Sequence, residues 1–259
     1  KQHPDGFICR EIKADGADCF ERYDPTSTGP NILPWSEIVY YKQFGDIDRL
    51  HKIFPALCAY YKWLKLNHTW RNGTYWTCGW GTGMDNMPRV EPKYNPIYSH
   101  GHMIWLDVCL QQYFTAGHLL EMGFYLERWQ EIEEFEDEQK MLKKYINENL
   151  WALLTDVLSK ERMDAFVAEL DNKETFNRLH RVPSLAANHP KYKDNGRYWQ
   201  GGVWPGANYM VITGLLQQGY RKLAYEIARN HYDNVLKVYK NTGTFWEYYA
   251  PEHEEPGFM

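Results

Sequence analysis

Apolar residues recur with a helical period along most of the chain, in two alternating kinds of segment. The segment from His100 to Met122 is apolar nearly all round, which predicts a helix that is buried on most sides. Residues 128–147 instead carry one apolar stripe and an acidic run, Glu131 to Glu138, which predicts a solvated outer face. The stripe consists of Trp129, Ile132, Phe135, Leu142, Tyr145 and Ile146. The alternation returns in an apolar segment, Val203 to Leu216, and an amphipathic one, Arg221 to Lys240. This pattern predicts a helical toroid, in which outer helices shield inner ones.

The first part of the chain predicts a long loop followed by two helices. Residues 1–33 are rich in Gly, Pro, Asp and Thr and show no sustained period, which favours a loop with a short hairpin. A helix is expected from Pro34 to Phe44, closed by Gly45, and Asp46 is expected to cap the next one. Pro55 is expected to kink that second helix or to divide it. No parallel β pattern intervenes.

Composition bounds the possible functions. The chain has 259 residues, of which 44% are hydrophobic, so one folded domain is expected. Aromatic residues make up 16%, with 11 Trp and 20 Tyr. Aromatic rings suit carbohydrate binding, although most of them must simply fill the core. The net charge of −5, without a long basic cluster, argues against nucleic acid and an anionic membrane as partners.

The remaining compositional signals exclude several kinds of site. The five cysteines form no CxxC pair and predict mostly buried free thiols. His100 and His102 resemble a metal pair, but this spacing at a helix start is expected to point the rings apart, and no third ligand is evident. No metal and no cofactor is therefore assigned. Neither a membrane-span pattern nor a signal-peptide pattern is present, and the sequence leaves the compartment and the oligomeric state open, with the cytoplasm or periplasm of a bacterium as the expected setting.

Two carboxylates stand in loops that contain aromatic residues. Asp85 lies in GWGTGMDNMPR, residues 79–89, which we call the Gly79 loop. Glu247 lies in GTFWEYYAP, residues 243–251, which we call the Glu247 stretch. These segments and YWQGGVW, residues 198–204 (the Tyr198 turn), all connect outer to inner helices, so the toroid is expected to place them at one end. Glycoside hydrolysis requires such a pair of acids.

The strings GMDNMPR, YWQGGVWPGANYM and TFWEYYAPE, in this order, resemble glycoside hydrolase family 63, in particular its bacterial mannosylglycerate and glucosylglycerate hydrolases. Trehalases are more distant relatives. The resemblance implies an (α/α)6 toroid, a six-hairpin barrel, and an inverting α-glycosidase. It makes Asp85 the general acid and Glu247 the general base.

Each assignment has a structural alternative. Asp85 is also consistent with a loop aspartate that satisfies backbone amides, and Glu247 has rivals in Glu252, Glu254 and Glu255. The aromatic and polar residues that the resemblance and the neighbouring acids suggest for sugar binding are Trp35, Trp80, Tyr198, Trp199, Gln200, Trp204, Trp246 and Tyr248. Core packing is the alternative for the tryptophans, above all for Trp204.

The chain departs from the family pattern in ways that leave alternatives open. Gln200 stands where many members carry Arg, and Gly202 stands where Pro is common. Compared with the family pattern, the chain is expected to be shortened near residues 151–152 and to begin and end inside the barrel, since about eight helices are readable where twelve are expected. The single domain, 1–259, is therefore either a fragment with gaps or an incomplete barrel. The expected substrate is a small α-glucoside or α-mannoside, and the alternatives are a non-catalytic carbohydrate-binding toroid or a trehalase or α-glucosidase acting on a neutral disaccharide.

Overall fold

The computed structural model describes residues 1–143 and 158–258, and regular secondary structure in this part of the chain is α-helical. The helices are α1 (Leu33–Phe44), α2 (Ile47–Asn67), α3 (Gly79–Thr82), α4 (Leu106–Tyr125), α5 (Trp129–Lys143), α6 (Lys160–Asp171), α7 (Pro205–Gln217) and α8 (Arg221–Thr242). The chain divides into two units. Unit 1 comprises Lys1–Asp85 and Val90–Asn147, and unit 2 comprises Asn86–Arg89 and Glu148–Met259.

The first two helices of unit 1 begin and end largely where the sequence predicts. Gly45 ends α1 in the left-handed conformation, with φ 69°, which glycine adopts at little cost. The Asp46 carboxylate caps α2 by accepting a hydrogen bond from the Arg49 N–H at 3.0 Å. The helix is not divided at Pro55. We attribute its continuity to packing, because its apolar face is buried on both sides of the proline and offsets the lost hydrogen bond.

The core of unit 1 is formed by α1, α2, α4 and α5. Its buried members are Ile38, Leu50, Phe54, Leu57, Cys58, Tyr61, Ala116, Leu119, Met122, Leu126, Ile132 and Phe135. Burying one side chain of this size stabilises the fold by roughly 1.5–3 kcal/mol. The buried helix predicted from His100 begins only at Leu106, because Gly101 and His102 adopt positive φ values of 61° and 52° that helices do not accommodate. Ile104 is consequently exposed, and the rings of His100 and His102 do not point apart but meet edge to face at 4.6 Å.

Helix α5 corrects two predictions. The acidic run is exposed for the most part, but Glu138 is only 3% exposed. Its carboxylate accepts a hydrogen bond from the Tyr75 hydroxyl at 2.7 Å and pairs with the Lys65 ammonium at 2.6 Å, which makes its burial tolerable. Trp129, which the apolar stripe included, is 54% exposed. Tyr145, Ile146 and the junction at residues 149–153 lie outside the described residues.

Unit 2 contains α6, α7 and α8 around a second core. Its buried members are Met163, Val167, Leu170, Val182, Val211, Leu215, Ala224 and Ile227. The sequence analysis did not delimit α6, although Ser159 caps it by accepting the Arg162 N–H at 3.4 Å. Helix α8 is amphipathic as predicted. Helix α7 is less buried than predicted, since Tyr209 and Leu216 are both more than half exposed.

The first 32 residues form the predicted loop, whose only pairing of β type is the isolated bridge between Ile12 and Asp18. The cysteines are free, and four of the five are buried, as predicted. Within residues 1–143 and 158–258, the helices are too short or too polar to span a membrane.

Candidate active site

A pair of backbone hydrogen bonds joins the Tyr198 turn to the Glu247 stretch in unit 2. The Val203 N–H donates to the Tyr249 carbonyl at 2.9 Å, and the Tyr249 N–H donates to the Val203 carbonyl at 2.9 Å. This antiparallel bridge lies outside any sheet. Two of the three motifs, which α7 and α8 separate in sequence, are therefore one structural element.

Three aromatic rings from these two motifs form a continuous stack. Trp199 and Trp204 are parallel within 4°, with centroids 4.1 Å apart, and Tyr248 lies 4.8 Å from Trp204 at 18°. Two nearly parallel rings can both lie this close to Trp204 only on opposite faces. Each of the three is less than a tenth exposed. Any ligand contact of Trp204 must therefore involve its edge, and its face is not available for stacking on a sugar.

Tyr198 closes the stack from the side. Its ring meets Trp204 edge-on at 5.0 Å and Tyr248 at 5.6 Å. Its backbone has φ 55°, a left-handed conformation that costs a residue with a side chain of order 1–3 kcal/mol. The turn persists because the Gly202 N–H donates to the Tyr198 carbonyl at 3.0 Å. Strain of this kind accumulates at functional positions.

Gly202 is required by the close approach of the Tyr198 turn to Tyr248. A Cβ atom at residue 202 would lie 2.4 Å from the Tyr198 carbonyl oxygen and 2.8 Å from Cδ2 of Tyr248. A Cβ at Gly257 would lie 2.1 Å from the same ring. Tyr248 therefore occupies a slot between two glycines. Burial also raises the pKa of its hydroxyl, so the neutral form is favoured.

Asn86, which the sequence analysis did not single out, contacts the Tyr198 turn within unit 2. Its side-chain oxygen accepts a hydrogen bond from the Trp199 N–H at 2.9 Å, and its amide donates to the Arg197 carbonyl at 3.5 Å. The Gln200 amide donates to the Asn86 carbonyl at 3.5 Å. In the sequence, Asn86 directly follows Asp85. The position of Asn86 beside the candidate acid was the available signal.

In unit 1, close backbone packing restricts residue 79 at the start of the Gly79 loop. A Cβ on Gly79 would lie 2.1 Å from the Asp85 carbonyl oxygen and 2.4 Å from that of Pro96, so glycine is required there. Asp85 itself is half-buried.

Trp80 and Trp35 both lie in unit 1. The Arg10 guanidinium donates to the Trp80 carbonyl at 2.6 Å and lies 5.2 Å from the Trp80 ring centroid, while Phe20 and Tyr98 contact that ring edge-on. Trp35 is half-buried on α1 and meets Phe114 edge-on at 5.3 Å.

The carboxylates near the end of α8 differ in their partners. Glu252 pairs with Arg178 at 2.5 Å and accepts the Tyr192 hydroxyl at 2.7 Å, and Glu254 pairs with Lys237 at 2.6 Å. Glu247 is exposed, and among residues 1–143 and 158–258 its side chain has no hydrogen-bond or ion-pair partner. Two of the three rivals are therefore engaged in structural contacts, whereas the Glu247 side chain makes no such contact within the described residues.

Trp246, next to Glu247, presents an open aromatic surface. Its side chain is 41% exposed, and its indole N–H donates to the Thr242 hydroxyl at 3.0 Å. Of the predicted sugar-binding residues, the structure brings Tyr198, Trp199, Gln200, Trp204 and Tyr248 together, and it places Trp246 on the same stretch as Tyr248.

Comparisons with known proteins agree with the motifs. Residues 147–257 match the family model described as the mannosylglycerate hydrolase MGH1-like glycoside hydrolase domain. The chain is 24% identical to an uncharacterized protein of Borreliella burgdorferi, an alignment that covers 88% of the chain and 52% of that protein. It is 22% identical to a probable mannosyl-oligosaccharide glucosidase of Schizosaccharomyces pombe, covering 80% of the chain and 32% of that protein. The chain thus spans about half or less of these relatives.

A solved structure shows the fold. The GH63 mannosylglycerate hydrolase from Thermus thermophilus, in complex with glucose, superposes with a TM-score of 0.77 over 98% of this chain and 80% of that chain, at 19% identity. The predicted all-α class, the (α/α)6 toroid, is thereby confirmed. The matching domain model and the shared fold confirm the resemblance inferred from the motifs: the chain is similar to glycoside hydrolases of family 63.

Proposed function

We propose that this chain carries the catalytic apparatus of an inverting α-glycosidase that hydrolyses a small α-mannoside or α-glucoside. The observation that carries the proposal is the environment of Glu247. It is an exposed carboxylate without an ion-pair partner in the described residues, it lies between Trp246 and Tyr248, and its stretch is bridged to the Tyr198 turn. The matched domain and the Thermus enzyme named above support the reaction class.

In the proposed mechanism Asp85 is the general acid and Glu247 the general base. Protonated Asp85 donates its proton to the glycosidic oxygen as the bond to the anomeric carbon breaks. Glu247 accepts a proton from a water molecule that attacks the opposite face of the sugar, so the configuration inverts. Such a pair is typically separated by about 6.5–9.5 Å, which leaves room for the water.

The aromatic residues of unit 2 suit the binding of a sugar in two ways. The exposed Trp246 ring offers a face for the C–H surface of a sugar. The indole N–H groups of Trp199 and Trp204 are buried and lack an acceptor among the residues that the structure describes. Buried donors are nearly always paired, and either a water molecule or an oxygen of the substrate is able to serve as their acceptor.

A hydrolysis screen tests the proposal. Mannosylglycerate, glucosylglycerate, trehalose, kojibiose and nigerose are incubated with the protein, and the anomer released first is identified by NMR. We expect one glycerate-linked substrate to be hydrolysed with inversion. Release of the retained anomer would contradict the mechanism, and binding without hydrolysis would identify a carbohydrate-binding module.

Two variants assign the roles. Asp85→Asn is expected to lose less activity on an aryl glycoside with a good leaving group, which needs no protonation, than on the natural glycoside. Glu247→Gln is expected to lose about 10²–10⁴-fold on both substrates, because the water is no longer activated. Glu255→Gln, an exposed neighbour, is the matched control. Full activity in either of the first two variants would contradict the assignment.

A further inference from the structure

The Glu247 stretch is held to unit 2 by the side chain of a residue that follows it. The Trp246 backbone N–H donates a hydrogen bond to the Tyr249 hydroxyl at 3.2 Å. Glu247 lies between the donor and the acceptor in the chain, so this bond closes a turn around the candidate base. Within the described residues, the Glu247 side chain makes no hydrogen bond that would direct it.

The Tyr249 ring is itself fixed from behind. It is 1% exposed and contacts His180 at 5.5 Å and His231 at 6.3 Å between ring centroids. The two imidazoles are linked by a hydrogen bond of 3.2 Å, and the His180 backbone N–H donates to the Pro251 carbonyl at 2.9 Å. The main chain of Tyr249 is paired with Val203. The ring and the backbone of Tyr249 are therefore both fixed, so its hydroxyl holds the Trp246 N–H at a defined position.

We propose that Tyr249 is a positioning residue for Glu247, whose hydroxyl sets the direction of the carboxylate by restraining the main chain at Trp246. The inference rests on the proposed function of Glu247. Phenylalanine would fill the same space, so packing alone does not account for the hydroxyl at this buried position. A misplacement of about 1 Å at a catalytic group is sufficient to cost on the order of 10²-fold in rate.

Thr242 provides a matched comparison, because it also binds Trp246, but at the side chain instead of the backbone. Its hydroxyl accepts the indole N–H of Trp246, whereas Tyr249 accepts the backbone N–H. The two bonds predict different kinetic effects. Loss of the Tyr249 bond frees the main chain beside the base and is expected to lower kcat. Loss of the Thr242 bond frees the aromatic surface and is expected to raise KM.

The experiment compares Tyr249→Phe and Thr242→Val with the unsubstituted protein and with Glu247→Gln. Tyr249→Phe is expected to lower kcat about 10- to 100-fold on natural and activated substrates alike, with KM and the unfolding temperature nearly unchanged. The limb of the pH–rate profile that reports the base is expected to shift. Unchanged kcat and pH profile in Tyr249→Phe, while Glu247→Gln is inactive, would overturn the inference and leave the proposed function standing.

A second measurement tests the role of the Tyr249 hydroxyl without using activity. If the protein hydrolyses none of the substrates, the proposed function is wrong, but this measurement still decides whether the hydroxyl restrains the turn. Hydrogen exchange at the Trp246 amide is measured in each variant. Faster exchange is expected in Tyr249→Phe and unchanged exchange in Thr242→Val. Equal exchange in Tyr249→Phe and the unsubstituted protein would show that the hydroxyl does not restrain this turn and would overturn the inference.

Discussion

Glu138 in unit 1 and Glu247 in unit 2 are two carboxylates in aromatic surroundings with opposite environments. Glu138 is buried and has both of its oxygens occupied, by Tyr75 and Lys65. Glu247 is exposed and has neither kind of partner in the described part of the chain. A carboxylate that has satisfied its hydrogen bonds holds helices together, whereas one that has not is able to accept a proton from a water molecule. The comparison separates a structural acid from a candidate catalytic one.

The largest stability difference is expected between Glu138→Gln and Glu247→Gln. Replacing Glu138 removes the charge that pairs with Lys65 and weakens the bond from Tyr75 in a buried site, and we expect a loss of about 1–3 kcal/mol in the free energy of unfolding. Glu247→Gln is expected to change it by less than about 0.5 kcal/mol, as at other exposed positions. Urea denaturation measures both, with Glu133→Gln, exposed on α5, as the control. Equal stability of Glu138→Gln and the control would contradict the burial argument.

Two exposed tryptophans extend the comparison to ligand binding. Trp246 is 41% exposed beside Glu247, and Trp129 is 54% exposed on α5 of unit 1. Trp246→Ala is expected to weaken substrate binding by about 1–3 kcal/mol, on the scale of aromatic stacking losses. Trp129→Ala is expected to leave affinity unchanged. Substrate affinity is measured by isothermal titration in the inactive Glu247→Gln protein, with and without each tryptophan change. Equal affinity with and without Trp246→Ala would show that the Trp246 ring does not contact the sugar.

A third comparison concerns acid stability in unit 2. Burial lowers the pKa of His231 to about 4 and, together with the charge of His231, lowers that of His180 to about 3. Below about pH 6.5 these two histidines bind protons in the unfolded chain, whereas in the folded chain they stay neutral until a lower pH. The two histidines therefore contribute their full stability above that pH and lose up to about 1.4 kcal/mol each per pH unit as pH falls toward 4.

His231→Gln tests this linkage, because it removes one titrating ring from the pair. Between about pH 6.5 and 4 the slope of the unfolding free energy against pH is expected to decrease by up to about 1.4 kcal/mol per pH unit, which corresponds to one bound proton. His51→Gln, at an exposed position on α2, is the control. A slope that is identical in both variants would show that His231 binds its proton equally well in the folded protein.

The helical layers were predictable because their period is local, whereas several exceptions depend on distant partners. Glu138 belongs to an acidic run, and only Lys65 and Tyr75, both far away in sequence, explain its burial. The late start of α4 depends on the left-handed backbone of Gly101 and His102, which apolar periodicity does not register. Asn86 is one polar loop residue among many until the fold brings Trp199 to it.

The candidate site was predictable as motifs but not as geometry. The strings around Asp85 and Glu247 identify the residue types that glycoside hydrolysis requires, and the resemblance identifies their order. The stack that covers both faces of Trp204 arises only when the Val203 and Tyr249 backbones pair. The roles of Asp85 and Glu247 remain predictions that the substitutions above test.

The slot that holds Tyr248 limits how this chain is able to evolve. Every single-base change in a glycine codon that yields another amino acid introduces a Cβ atom, and at residue 202 that atom would collide with the Tyr198 carbonyl and the Tyr248 ring. The proline that the resemblance leads one to expect at this position would bring the same Cβ collision. Tyr248 and the Tyr198 backbone have to shift first, so the order in which mutations are accepted is set by the stack.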